Sequence, residues 1–102
     1  LVVAVTEPTC SGLHDLERIV DLTAHFRIPL ILCINKWDIH PAMADRIERE
    51  MEQRGVRVAG RIRYDPAVTR AQIMKTTVVE YTGGAISMDI RAIWRQVIYA
   101  LG

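Results

Sequence analysis

The sequence predicts an α/β fold, a three-stranded parallel sheet flanked by helices that amounts to one half of a doubly wound sheet. Three observations predict it. Leu1 to Thr6 and Leu30 to Ile34 are continuous apolar runs rich in β-branched residues, the pattern of strands covered on both faces. Amphipathic segments of helical period follow them. The resulting order, β-α-β-α-β-α-α, calls for parallel strands joined by right-handed crossovers. Residues 1–102 read as one unit, without an internal repeat, a low-complexity tract or a linker.

The elements follow in order. The first strand, Leu1 to Thr6, stops at Glu7-Pro8-Thr9, because proline removes a ladder donor. Ser11 is the expected N-cap of a helix reaching about Phe26. Leu13, Leu16, Ile19, Val20, Thr23 and Phe26 share one face of it, and His14, Asp15, Arg18, Asp21 and His25 the other. Pro29 ends that helix, and a buried strand runs from Leu30 to Ile34 and closes on Asn35. Pro41 then opens a second helix at a position where its missing N–H costs nothing. Asp45–Arg49 and Glu50–Arg54 stand i, i+4 with the acid first, and Gly55 supplies the left-handed residue that ends the helix.

From Val56 to Ile62 the pattern alternates. Val56, Val58, Gly60 and Ile62 point one way and Arg57, Ala59 and Arg61 the other, as in a strand near a sheet edge with one solvated face. Pro66 to Met74 reads as a short helix and Thr77 to Tyr81 as an extended stretch. Gly83-Gly84 breaks the chain, and Ser87 is the expected cap of a last helix reaching Leu101, with Asp89 in its first turn. Ile90, Ile93, Trp94, Val97, Ile98 and Leu101 form its apolar face.

Composition narrows the function classes. The 102 residues carry thirteen Lys plus Arg against twelve Asp plus Glu, a net +1, and half of them are hydrophobic. This excludes a disordered or collagen-like chain, and no apolar run reaches the ~20 residues that span a bilayer. Nucleic acid is not an expected partner. Charge is nevertheless uneven: residues 1–51 carry five basic and eight acidic groups, residues 52–102 eight and four. Arg54, Arg57, Arg61, Arg63 and Arg70 cluster near Asp65, either as a solvated rim or as a site for a phosphate-bearing partner. Cys10 and Cys33 lack a CxxC or a histidine at ligand spacing and read as free thiols of a reducing, cytoplasmic compartment. His14, His25 and His40 read as solvated. The chain opens inside a strand-like run, without an initiator Met or a legible signal peptide, and is expected to be a piece of something longer.

In open α/β sheets ligands bind beyond the carboxyl ends of the strands, which singles out Glu7 to Ser11, Asn35 to Asp38 and Arg63 to Asp65. Asn35-Lys36-Trp37-Asp38 directly follows a buried strand. An amide offers donor and acceptor together and can pair with a purine edge, while the lysine stem can cover a ring face with its charge in water. The same tetrapeptide also suits a turn in which Asp38 caps the next helix. No GxxxxGK[ST] loop cradles a phosphate and no nucleophile–base pair is legible, so no catalytic residue is assigned.

These residues carry a resemblance. The chain resembles the C-terminal half of MinD/ParA-type P-loop ATPases, above all those with an inserted ferredoxin domain. The likeness rests on Leu1 to Thr9 with Ser11-Gly12 and His14-Asp15, on Ile34-Asn35-Lys36 with Asp38, and on Gly60 to Asp65 leading into Ala71-Gln72 and Val78 to Tyr81. It implies that Asn35, with Lys36 and Asp38 beside it, contacts the adenine edge, that Ile62, Arg63 and Asp65 line the other side of the base, and that Asp65 and Gln72 approach the nucleotide or a partner subunit. Glu7, Pro8, Thr9 and Ser11 would form the loop beside the nucleotide. It implies a parent that binds ATP with Mg2+, forms a homodimer and serves iron–sulfur or redox chemistry, its P-loop and any cluster cysteines preceding this segment. The bared edge of the first strand should then favour self-association. One position departs from the family: Arg63 stands where proline usually precedes the Tyr-Asp pair. Two other readings remain open, the C-terminal half of a GTPase, with Asp38 reading guanine, and a non-catalytic interaction domain using the arginine-rich edge.

Overall fold

The computed structural model describes residues 1–102. Three parallel strands, β1 (Val2–Thr6), β2 (Leu30–Asn35) and β3 (Arg57–Ile62), lie in the order β1-β2-β3. Helix α1 (Cys10–His25) connects β1 to β2, and α2 (Pro41–Gln53) connects β2 to β3. After β3 come α3 (Ala67–Ile73), the one-turn α4 (Val78–Tyr81) and α5 (Ala85–Leu101). Leu13, Leu16 and Val20 of α1 join Ala44, Ile47 and Met51 of α2 over one sheet face, against Ala4, Leu32 and Ile34. Ile93 and Val97 of α5 cover Ile31 and Cys33 on the other. β2 is thus enclosed from both sides, and Ile31 to Ile34 are each no more than 2% exposed. A strand in that position must be apolar at every residue, which is why it reads as an unbroken run. Burial pushes the Cys33 thiol up to about 11, whereas Cys10 is exposed.

The helix boundaries follow local chemistry, with three departures from expectation. Thr9, not Ser11, caps α1: its hydroxyl accepts the Gly12 N–H at 2.9 Å. Gly12 is required there, since a Cβ would lie 2.5 Å from the Glu7 carbonyl oxygen. Thr77 to Tyr81 is not extended, because the Thr77 hydroxyl accepts the Glu80 N–H at 3.2 Å and winds Val78–Tyr81 into a helical turn. Ser87 does not cap α5, which starts at Ala85 after Gly84; it is buried, its hydroxyl donating to the Thr82 carbonyl. Elsewhere His40, exposed as expected, caps α2, its Nδ1 accepting the Met43 N–H at 3.1 Å. Gly55, at φ +78°, ends α2 as expected.

β3 also departs from strict alternation. Leu32 pairs with Val58 and Cys33 with Gly60, so Ala59 is an extra residue, a β-bulge. Val58 packs toward α2, but after the bulge Ile62 packs toward α5. Arg61 turns toward α2, donating to Asp45 at 2.9 Å and to Glu48, with its guanidinium 5.5 Å from the Trp37 ring centroid. Partial burial works against the Arg61 charge, but the hydrogen bonds to Glu48 and Asp45 outweigh it and raise its pKa. The predicted solvated face of β3 is therefore divided, exposed Arg57 and part-buried Ala59 lying toward α5 and Arg61 toward α2, while β3 is an edge strand as expected. The expected helical pairs Asp45–Arg49 and Glu50–Arg54 are replaced by Arg61–Asp45, Arg46–Glu50 and Arg54–Asp21. Two of these bind separate elements together.

β1 forms the other edge. Ala4 and Thr6 are buried beneath the helices, but Val3 and Val5 on the opposite face are 41% and 63% exposed. Ile19 and Phe26 of α1, expected in the core, are exposed too, as are Trp94, Ile98 and Leu101 of α5. Neither a charge nor a proline interrupts Val2–Thr6, so this edge lacks the usual guards against strand pairing. No helix is long and apolar enough to cross a membrane.

The core and the β1 edge should respond differently to truncation. Ile47, fully buried, should cost about 2–5 kcal/mol as Ile47→Ala. Val5→Ala should cost under about 1 kcal/mol. Urea titrations of both variants check this, and equal losses would contradict the assignment of β1 to an open edge.

Candidate functional site

All three strands run the same way, so Thr6, Asn35 and Ile62 end at one side of the sheet. Asn35 and Ile62 are paired neighbours in the β2–β3 register. Directly after Asn35 the chain turns sharply: Lys36 adopts φ +53°, and Trp37–Ile39 forms a 3₁₀ turn closed by the Ile39 N–H on the Lys36 carbonyl at 3.1 Å. A non-glycine residue in the left-handed region is uncommon. Here it sends three consecutive side chains to three places. Lys36 Nζ reaches Glu7 Oε1 at 3.2 Å, at the exit of β1. Trp37 packs against the α1–α2 core. Asp38 Oδ1 accepts the Tyr64 N–H at 2.8 Å, at the exit of β3.

Beyond the β2 and β3 ends lies a cavity of about 350 Å³. Asn35 and Lys36 form one side of it, Ile62, Arg63, Tyr64 and Asp65 another. Gln72 of α3 and Ile86 and Ile90 of α5 complete the wall. This volume is near the lower end for small-molecule sites. The Asn35 carboxamide makes no hydrogen bond inside the chain, although the residue is half-buried at the cavity edge. An amide with both donor and acceptor free, in a recess of mixed polar and apolar lining, can pair with a hydrogen-bonding ligand.

Six of the residues expected around a base therefore share one cavity: Asn35, Lys36, Ile62, Arg63, Asp65 and Gln72. Asp38 does not line it; its carboxylate is held on the Tyr64 N–H. Glu7, Thr9 and Ser11 line a second, shallower cleft of about 260 Å³ along the open edge of β1, together with Val5, Asp15 and Ile19. Pro8 is buried beside it. The two recesses are joined through the Lys36–Glu7 ion pair. Four of the five clustered arginines have intramolecular partners: Arg54 with Asp21, Arg57 with Gln96 and the Tyr99 ring, Arg61 with Asp45 and Glu48, Arg63 with Asp89. No group of three His, Cys, Asp or Glu side chains gathers as a metal site.

Sequence reasoning does not assign Ile86, Ile90 or Asp89 to the site. Their helical spacing reads as core packing and capping, and only the return of α5 over the β3 exit gives them this place. Asp89 matters most. Its Oδ2 accepts from Arg63 Nε at 2.7 Å and from the Arg63 backbone N–H at 3.2 Å, and its Oδ1 accepts from Arg63 Nη2 at 3.0 Å. Arg63 thus supplies a backbone donor that a proline there could not.

Compared with known protein families the chain matches none, and it matches no curated protein.

The Arg63 guanidinium holds the Asp89 carboxyl below the usual carboxylate range; partial burial opposes this and the Arg63 backbone N–H adds to it. Since the folded-state pKa is lowered, the pair's contribution is complete above the unfolded carboxylate value of about 3.9 and is lost as pH falls through the lower folded value. Asp89→Asn should lower Tm by a few degrees at pH 7, and the gap should close below about pH 4. Melting curves from pH 7 to acid check this; a gap constant with pH would contradict it.

Proposed function

We propose that this chain is the base-binding half of an adenine-nucleotide ATPase of MinD/ParA type. The observation that carries the reading is the unpaired Asn35 carboxamide at the end of the central strand, lining a cavity of about 350 Å³ whose apolar part includes Ile62, Ile86 and Ile90. The amide would pair with the adenine edge and the isoleucines would cover the ring. Lys36, Arg63, Asp65 and Gln72 lie at its rim, where the sugar, the phosphates or a second subunit would approach.

The open flank of β1 supports the other part of the proposal. In an ATPase of this type the P-loop strand would pair with β1 and a helix would cover Val3 and Val5. The phosphates, Mg2+ and any iron–sulfur cluster would be held by residues other than those of this chain, which has no GxxxxGK[ST] loop. The complete protein would couple ATP binding and hydrolysis to homodimer formation in iron–sulfur or redox chemistry, in the cytoplasm, where free thiols such as Cys10 and Cys33 persist.

The position of Asp38 favours adenine over guanine. Reading guanine requires a carboxylate that faces the base to accept from N1–H and the 2-amino group, and Asp38 lies outside the cavity lining with its Oδ1 on the Tyr64 N–H. The interaction-domain alternative draws less support from the arginines, since Arg57 bonds Gln96 and Arg61 bonds Asp45 and Glu48 within the fold.

Calorimetric titration tests the reading. The isolated chain should bind ATP far more weakly than micromolar, bind GTP more weakly still, and release no phosphate. Asn35→Ala should weaken ATP about tenfold, the worth of one bidentate amide–base contact, with the circular dichroism unchanged. Equal binding of GTP, or micromolar affinity with phosphate release, would overturn the proposal.

A further inference from the structure

The exit of β3 is held in an unusual way. In extended backbone successive N–H groups point in opposite directions, so one acceptor cannot hold two in a row. Here the two consecutive donors are taken by two carboxylates from different elements. The Arg63 N–H donates to Asp89 Oδ2 at 3.2 Å, from α5, and the Tyr64 N–H donates to Asp38 Oδ1 at 2.8 Å, from the turn after β2. Each acceptor is 26 residues from its donor in sequence. Asp65 then accepts the Ala67 N–H at 2.8 Å with its own Oδ1, starting α3.

This double hold bears directly on the cavity. Ile62, Arg63, Tyr64 and Asp65 form one of its walls, Asn35 and Lys36 the adjoining one, and Ile86 and Ile90 a third. Asp38 follows Asn35 and Lys36 in the same turn, and Asp89 precedes Ile90 on α5. Each carboxylate therefore ties the β3 exit to one of the other two walls. Neither needs to touch a ligand.

We propose that Asp38 and Asp89 are positioning residues, a pair of latches that fix the β3 exit and so set where the Arg63–Tyr64–Asp65 wall stands against the turn after β2 and against α5. The inference rests on the base-binding reading for its functional consequence and on hydrogen bonding alone for its geometry. Asp38 then acts on the base through the wall it holds.

Amide hydrogen exchange on the 15N-labelled 102-residue chain tests the latches without any ligand. The Arg63 and Tyr64 amides should be protected relative to that of Asp65, which has no such acceptor. Asp38→Ala should speed exchange at Tyr64 about tenfold, in line with the loss of one hydrogen bond to a charged acceptor, and leave Ile34 unchanged. Asp38→Asn, which keeps an acceptor oxygen, should restore most of the protection. Asp89→Ala should act the same way at Arg63. Titration with ATP provides the second readout: Asp38→Ala should weaken binding severalfold and Asp38→Asn should not. Exchange at Tyr64 as fast as at Asp65 in the unmodified chain would overturn the proposal. So would exchange at Tyr64 that is as fast in the Asp38→Asn variant as in the Asp38→Ala variant. Should Asp38→Ala fail to fold, the protection pattern of the unmodified chain and of Asp38→Asn still decide. Protected amides in a chain that ignores ATP at saturation would leave the latches standing and defeat the nucleotide reading instead.

Discussion

The arrangement of the strand exits depends on one turn. Lys36 in the left-handed conformation reverses the chain at the end of β2, and the short 3₁₀ turn after it fans its side chains toward both neighbouring strands. Through Lys36 it grips Glu7, through Asp38 the backbone of Tyr64, and through Trp37 the core beneath Arg61. The first of these contacts is an exposed ion pair and is worth little by itself. Their joint effect is geometric: three loops that would otherwise move independently share one anchor, and a cavity persists where β2 and β3 end.

The second constraint is the bulge at Ala59. In an unbroken alternation Ile62 would share a face with Val58, and Arg61 would point toward α5. The extra residue exchanges them. Arg61 then finds Asp45, Glu48 and the Trp37 ring on the α2 side, and Ile62 joins Ile86 and Ile90 around the cavity. Gly60 belongs to the same device, since a Cβ there would come 3.0 Å from Ile93 Cγ1 and crowd that side chain against the sheet. Apolar wall, half-buried arginine and helix approach thus follow from one inserted residue.

These two features also mark the limit of what the chain discloses before folding. The parallel sheet is legible because a strand buried on both faces cannot hide its composition, and Ile31 to Ile34 show it. The helices are legible from period and proline placement. Asn35, Lys36, Ile62, Arg63, Asp65 and Gln72 can be gathered in advance because residues just past parallel strands meet at one edge. The bulge, the turn at Val78–Tyr81, the burial of Ser87 and the hold of Asp89 on Arg63 are not legible. Each depends on a contact between segments distant in sequence or on a hydroxyl choosing one of several backbone partners. Asp38 is the instructive case: its identity and spacing fit a base reader, and only the approach of Tyr64 gives the carboxylate another task.

What the fold presents is a recess lined by Asn35, Ile62, Ile86 and Ile90 beside an uncovered sheet edge at Val3 and Val5. The most direct test of this account is to locate adenosine on the chain by intermolecular nuclear Overhauser effects. Contacts are expected from the adenine H2 and H8 protons to the methyl groups of Ile62, Ile86 and Ile90. Contacts instead to Val5 and Ile19 along β1, or none at saturating ligand, would contradict it.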